Sequence, residues 1–162
     1  KVRDEQSKSI TKLETFERSP VIEIAVRELD KTKVDIEKLG VYVYDENMKK
    51  WEYVNTAYDK ERGTLIVKAP HFSMYAVMEY NRSFADVQNH WAKSYIEKIA
   101  AKHITNGIDS NNFGPQRTVT RAEFATWIVR ALGLNGTGKT SFIDVDKKEW
   151  YANNLALAAD YG

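Results

Sequence analysis

The chain has 162 residues, with 24 Lys and Arg against 23 Asp and Glu for a formal net charge of +1. Residues 1–83 carry 15 basic and 15 acidic side chains and residues 84–162 carry 9 and 8, so neither half has the basic excess of a nucleic-acid binder. The absence of Cys excludes disulfides, thiolate catalysis and Cys-ligated zinc, and there is no apolar run near the ~20 residues that a membrane span needs.

The charged start, Lys1-Val2-Arg3-Asp4-Glu5, has no apolar stretch behind it of the kind a secretion signal carries. Up to about Glu79 the apolar residues then recur at every second position. Ile22, Ile24 and Val26 alternate with Glu23, Ala25 and Arg27, and Val41 and Val43 alternate with Tyr42 and Tyr44. Asp45 to Lys50 is a polar break, Trp51-Glu52-Tyr53-Val54 resumes the pattern, and Glu61-Arg62-Gly63 signals another turn. Strands are predicted over Thr64–Ala69 and Phe72–Glu79. Such β-branched and aromatic runs between Gly, Asp and Asn breaks read as antiparallel hairpins. At least five of them predict an antiparallel β-sandwich, or part of one, over residues 1–80. The polar start holds one edge strand between Ile10 and Phe16.

After a short linker at Tyr80–Ser83 the period becomes helical. Trp91, Tyr95, Ile96, Ile99, Ala100 and His103 fall on one face. His103 to Pro115 is rich in Asn and Gly and reads as a loop, pinned to the helices by Ile108 and Phe113. Thr120 followed by Glu123 is a capping box, in which each side chain satisfies a backbone N–H that the helix orphans. Val119 and Phe124 are placed for a hydrophobic staple. Phe124, Trp127, Ile128, Ala131 and Leu132 then form one apolar stripe, which Gly133 ends as a left-handed residue with Leu134 folding back.

The stretch FADVQNHWAK, from Phe84, returns as FIDVDKKEWYAN from Phe142, with Trp91 and Trp150 in equivalent places. The pattern predicts one full helix–loop–helix unit over 84–134 and the opening of a second over 142–162. Units of this kind bury their apolar faces against neighbours, which predicts a stretch of a longer array. The expected architecture is α+β and multidomain, β first and all-α after.

These residues resemble a known family. Phe84-x-Asp86-Val87, His90-Trp91-Ala92, Gly107, Phe113-x-Pro115, Val119-Thr120-Arg121-Ala122-Glu123-Phe124-Ala125 and Arg130-Ala131-Leu132-Gly133-Leu134 are similar, in order and spacing, to the S-layer homology domain. Phe142, Asp144 and Trp150 repeat the opening motif. His103 stands where the family usually has Gly, so the turn there must accept a side chain. The β-rich half looks like modules that precede such repeats in bacterial surface proteins. The resemblance implies an extracellular, cell-wall-associated anchor without cofactor. Its implied partners are a secondary cell-wall polysaccharide, often bearing anionic pyruvate ketals, and neighbouring repeats or other chains that complete the bundle. It also implies that Arg121 of the Thr-Arg-Ala-Glu motif contacts the acidic sugar.

Residue chemistry gives each candidate a functional and a structural reading. A cation at the first helical position, Arg121, opposes the helix dipole by roughly 0.3–1 kcal/mol when exposed. Together with the free N–H groups it forms a carboxylate site; the alternative is a pair with Glu123 or a nearby Asp. Trp91 offers a stacking face for a sugar or a core side chain, and its stripe favours the core. Thr120 and Glu123 are caps first and ligand contacts second, and Gly107 permits positive φ or close approach. Arg117 adds a surface cation, while Asp86 and Asp144 read as ligand contacts or, better, as acceptors for backbone N–H groups at a helix entry. His71, His90 and His103 show no metal spacing. Asp109 to Thr120 fails as a calcium loop, because Phe113 holds its fifth place and Thr120 its twelfth. No Gly-x-Ser-x-Gly, His-Glu-x-x-His or Walker loop is present, so an enzyme is not expected. A structural, oligomerising fragment without ligand competence is the rival reading.

Overall fold

The computed structural model describes residues 2–3, 10–11, 19–69, 71 and 73–162. Two-residue strands β1 (Val2–Arg3) and β2 (Ile10–Thr11) pair antiparallel; the rest of the predicted edge strand, to Phe16, lies outside the described residues. Two three-stranded antiparallel sheets follow. One has the order β3 (Val21–Ala25), β7 (Thr64–Lys68), β6 (Thr56–Asp59). The other has the order β5 (Lys50–Val54), β4 (Leu39–Asp45), β8 (Tyr75–Glu79). Register pairs Ile22 with Val67 and Ile24 with Leu65 in the first, and Val41 with both Val54 and Val77 in the second. Leu39, Val41, Leu65 and Val67 from the two sheets, with Val26 and Ile36 from the segments beside them, form one buried cluster. The period-two pattern thus reads correctly in β3, where Ile22 and Ile24 turn inward. It misses β6, whose four residues hold too little apolar alternation to stand out.

The first five residues of β4 are buried on both faces. Leu39 and Val41 meet the sheet core, whereas Tyr42 meets the helical half. Three helices make up that half: α1 (Lys93–Ala101), α2 (Arg121–Leu132) and α3 (Ala152–Tyr161). Phe84, Val87, Ile96 and Ala100 form its own core, with Ala92 and Phe113 packed against it. Among the described residues no helix is long and apolar enough to cross a membrane.

The apolar stripes fall differently from their prediction. In α1 the buried residues are Ile96, Glu97, Ala100 and Ala101, while Trp91 and Tyr95 are 83% and 67% exposed. In α2 the buried pair is Thr126 and Val129, and Phe124, Ile128 and Leu132 are exposed. Val119 and Phe124, the staple candidates, are likewise exposed. Helical spacing fixes which residues share a face; which face is covered depends on what packs there, and α3 covers a different side of α2. The second copy of the opening motif diverges from the first for the same reason. Phe84 is 1% exposed beneath the 103–115 loop, whereas Phe142 is 40% exposed.

The halves meet in a polar and aromatic joint. Lys38 Nζ bonds Glu97 at 2.9 Å, with both side chains largely buried. Burial pushes the Glu97 carboxyl up, but hydrogen bonds from Ser83 and Lys38 outweigh it and hold the group low. Glu37 pairs with Lys98 and Lys60, which bring its carboxyl down to about 2. His103 has φ 55°, a left-handed residue with a side chain, which is how the turn accommodates the departure from Gly. Its Nε2 shares a 2.9 Å hydrogen bond with the Tyr42 hydroxyl, and its ring stacks on Tyr80 at 4.7 Å and lies 4.8 Å from Tyr53. Burial, and then the Arg130 charge, lower its pKa below the ordinary 6.5. Between these values the unfolded chain binds more protons, so stability rises with pH there. The joint is at full strength above about pH 6.5 and weakens as pH falls through the folded value. Melting temperatures followed from neutral pH down to about pH 5 should fall, and His103→Gln should flatten that slope.

Candidate functional site

The site is built on the loop that follows α1. Its conformation is set by backbone pins from side chains. Asp86 accepts from Phe113 N–H at 2.9 Å and Gly114 N–H at 2.7 Å, and these bonds keep its carboxyl below the usual range. Asp86 thus accepts from backbone N–H groups, but from those of the distant loop and not from a helix entry as expected. Asp109 closes a turn by accepting from the N–H groups of Asn111 and Asn112 at 2.7 and 2.8 Å. Arg82 crosses from the linker to donate to the Ser110 carbonyl at 3.0 Å, with its guanidinium over the Phe84 ring. Gly107 has φ 78°, and a Cβ there would overlap the Phe84 ring and stand 2.5 Å from the Asn112 carbonyl oxygen. Both reasons anticipated for a glycine apply. Asp144, in the second copy, is exposed.

The start of α2 faces this loop. Thr120 Oγ1 accepts from Glu123 N–H at 3.2 Å, and Glu123 Oε2 accepts from Thr120 N–H and Oγ1–H, each at 2.8 Å. This is the predicted capping box. Glu123 Oε1 is paired with Arg117, whose hydrogen bond, followed by that of the Thr120 amide, brings the Glu123 carboxyl to about 2. Glu123 therefore neutralises Arg117 and caps the helix at once. At the far end Gly133 adopts φ 66° and Leu134 N–H returns to Val129 O at 3.0 Å.

Loop and helix enclose a groove of about 680 Å³. Of the sequence-predicted binding residues, Gly107, Arg117 and Glu123 line it, together with Phe113, Pro115, Trp127 and Trp150 from the motif. Phe113 and Trp127 stack at 6.4 Å along one wall, and Trp150 brings the second copy of the motif to the same space. Thr120, Arg121 and Trp91 do not line it. Arg121 is exposed at the first position of α2, and among the described residues its guanidinium has no carboxylate within ion-pair distance. Trp91 is not a core residue, and its exposure leaves the ring free to stack.

The groove also holds Arg130, Thr105 and Asn106, which the sequence reading did not single out as binding residues. Arg130 donates to the Ile104 carbonyl at 3.2 Å, and burial lowers its pKa. Its signal was present in the sequence: it follows Trp127 by three, so the two share a helix face. Asn106 carries no comparable signal in an Asn-rich loop.

Residues 83–125 match the family model for the S-layer homology domain. An amylopullulanase from Thermoanaerobacterium thermosulfurigenes is 40% identical over 129 residues, covering 79% of this chain and 7% of that protein. That match is longer than the stretch from Ser83 to the last residue, so the likeness extends into the β-rich half. A surface layer protein from Brevibacillus choshinensis is 36% identical over 69 residues, 40% of this chain and 6% of the relative. A cellulosome-anchoring protein from Acetivibrio thermocellus is 35% identical over 79 residues, 47% of this chain and 17% of the relative. The chain spans less than a tenth of the length of the first of these relatives. No solved structure matches.

Proposed function

Starting from the S-layer homology domain at residues 83–125, we propose that this chain is a non-covalent anchor at a bacterial cell surface, outside the cell. Its loop groove takes a segment of secondary cell-wall polysaccharide. Residues 1–80 serve as a small sandwich-like spacer, 84–134 as one complete repeat, and 142–162 as the start of a second. The groove binds and does not catalyse; enzymatic activity in relatives such as the amylopullulanase belongs to parts that this chain does not match.

The observation that carries the reading is the groove itself. Stacked Phe113 and Trp127 suit the apolar faces of sugar rings, and cations stand around them. Arg117 is neutralised by Glu123, and Arg121 does not line the groove. A pyruvate ketal therefore meets Arg121 on a saccharide that runs out of the groove to the start of α2, where backbone N–H groups add to the charge. Gly107 lets a sugar approach the backbone, Thr120 and Glu123 hold the helix start in shape, and Trp91 offers a second ring outside the groove.

Calorimetric titration with purified wall polysaccharide, before and after removal of its ketals, tests this. Binding should depend on the ketals. Arg121→Ala should weaken it roughly tenfold or more, the value of one charge-assisted hydrogen bond, with an unchanged melting temperature. Equal binding of both forms would remove the anion from the reading.

The exposed stripe of Phe124, Ile128 and Leu132 favours a second reading, association with further repeats or other chains. A mass that grows with concentration, together with absent polysaccharide binding, would support it over the first.

A further inference from the structure

A second groove, of about 600 Å³, lies where the sheets meet the helices, and it draws on β4, β5, the end of α1, the end of α2 and α3. It is distinct from the loop groove, and only Arg130 lines both. Its wall on the sheet side is aromatic. Tyr53 lies edge-on to Tyr42 at 5.5 Å, and Trp51 packs on Tyr44 at 5.1 Å while keeping 38% of its surface exposed. Carboxamides line it from both sides, Asn154 from α3 and Asn55 from the link between β5 and β6. Asn154 is half-buried with no hydrogen bond among the described residues, and Asn55 makes a single long bond, 3.4 Å to the Ala131 carbonyl.

Three cations complete the lining, of which Lys50 is paired with Glu52 and two are not paired among the described residues. Lys102 and Arg130 are each half-buried, and each is satisfied only by a backbone carbonyl, Leu39 for Lys102 and Ile104 for Arg130. Among the described residues neither has a carboxylate within ion-pair distance. The carboxylate that acts on Lys102 from further away, Glu37, is already engaged by Lys60 and Lys98. Glu52 in the same groove is engaged by Lys50 at 2.9 Å. Removing a cation from water without a counter-charge is costly, and a cleft that does so twice is a candidate for an anion. The aromatic wall and the carboxamides narrow the class further. Rings pack against the C–H faces of sugars, and a carboxamide offers a donor and an acceptor to neighbouring hydroxyls. A small inorganic anion uses neither.

We propose that this junction groove binds an acidic saccharide, with Lys102 and Arg130 on its carboxylate, Trp51 and Tyr53 against its ring face, and Asn55 and Asn154 on its hydroxyls. Because the groove needs both halves of the chain, binding here depends on the β-rich module as well as on the repeat.

The test uses the full chain and three probes: trigalacturonate, the neutral galactose trisaccharide, and inorganic phosphate. Nuclear magnetic resonance follows the Trp indole and Asn carboxamide signals. Trigalacturonate should shift the Trp51, Asn55 and Asn154 signals saturably at millimolar concentrations. The neutral trisaccharide should bind roughly tenfold or more weakly, as should trigalacturonate to Lys102→Gln, each having lost a charge-assisted contact. Lys102 is the discriminating position because it lines this groove alone. Should Lys102→Gln unfold, the wild-type shift pattern still decides. Absence of saturable shifts at Trp51, shifts confined to Trp127 and Trp150, an equal response to the neutral trisaccharide, or an equal response to phosphate would each overturn the proposal. The loop groove reports separately through Trp127 and Trp150, so its failure and this one are told apart in the same spectra.

Discussion

Phe84→Ala is expected to lower the unfolding free energy by about 3–5 kcal/mol, and Phe142→Ala by about 1 kcal/mol or less. Both residues open the same motif, and their surroundings make the difference. Phe84 has the Phe113 ring at 5.8 Å, the Arg82 guanidinium on its face and the Gly107 backbone against its edge. Truncation leaves a cavity whose walls are pinned by Asp86 and Asp109 and so cannot collapse. Phe142 already gives two-fifths of its surface to water. Urea midpoints at unchanged m-value give both numbers. Equal losses at the two positions would mean that the second copy is packed like the first. Trp127, expected from its stripe to be core, is only half-buried, so Trp127→Ala should fall short of the Phe84 loss.

Glu97→Ala carries the second large effect, about 3–5 kcal/mol for breaking a buried pair from one side. The change strands the Lys38 ammonium, whose side chain is 15% exposed, and removes the acceptor of the Ser83 hydroxyl at 2.6 Å. Lys38→Met with Glu97→Leu should recover most of the loss, because replacing both partners by apolar groups leaves no charge unpaired. A double variant as unstable as the single one would show that packing at this place, rather than the stranded charge, sets the cost.

Local signals proved the most legible. The capping box at Thr120 and Glu123 and the left-handed Gly133 and Gly107 are each dictated by backbone geometry within a few residues, so sequence spacing is enough. Covered faces were not legible. Trp91 and Tyr95 continue the stripe of Ile96 and Ala100, and nothing in the spacing says that the core takes only its polar-flanked side. The burial of Glu97 is invisible without Lys38, which lies far away in the chain. The loop groove was half legible, since Gly107 and Glu123 sit in the motif and Arg117 stands out as a cation beside it, while Arg130 reaches the groove from the last turn of α2. The junction groove was not legible, because it is assembled from two halves that differ in period and share no motif.

The joint between sheets and helices has a mechanical meaning. Strand β4 lies in the middle of its sheet, and on its outer side Tyr42 meets His103, the Leu39 carbonyl meets Lys102, and neighbouring Lys38 meets Glu97. A pull applied to the helices is thus shared among several bonds that must give way together, ahead of any stretching at residues 80–83. The two halves turn as one lever, and whatever is attached to the sheets keeps a set angle to whatever holds the helices.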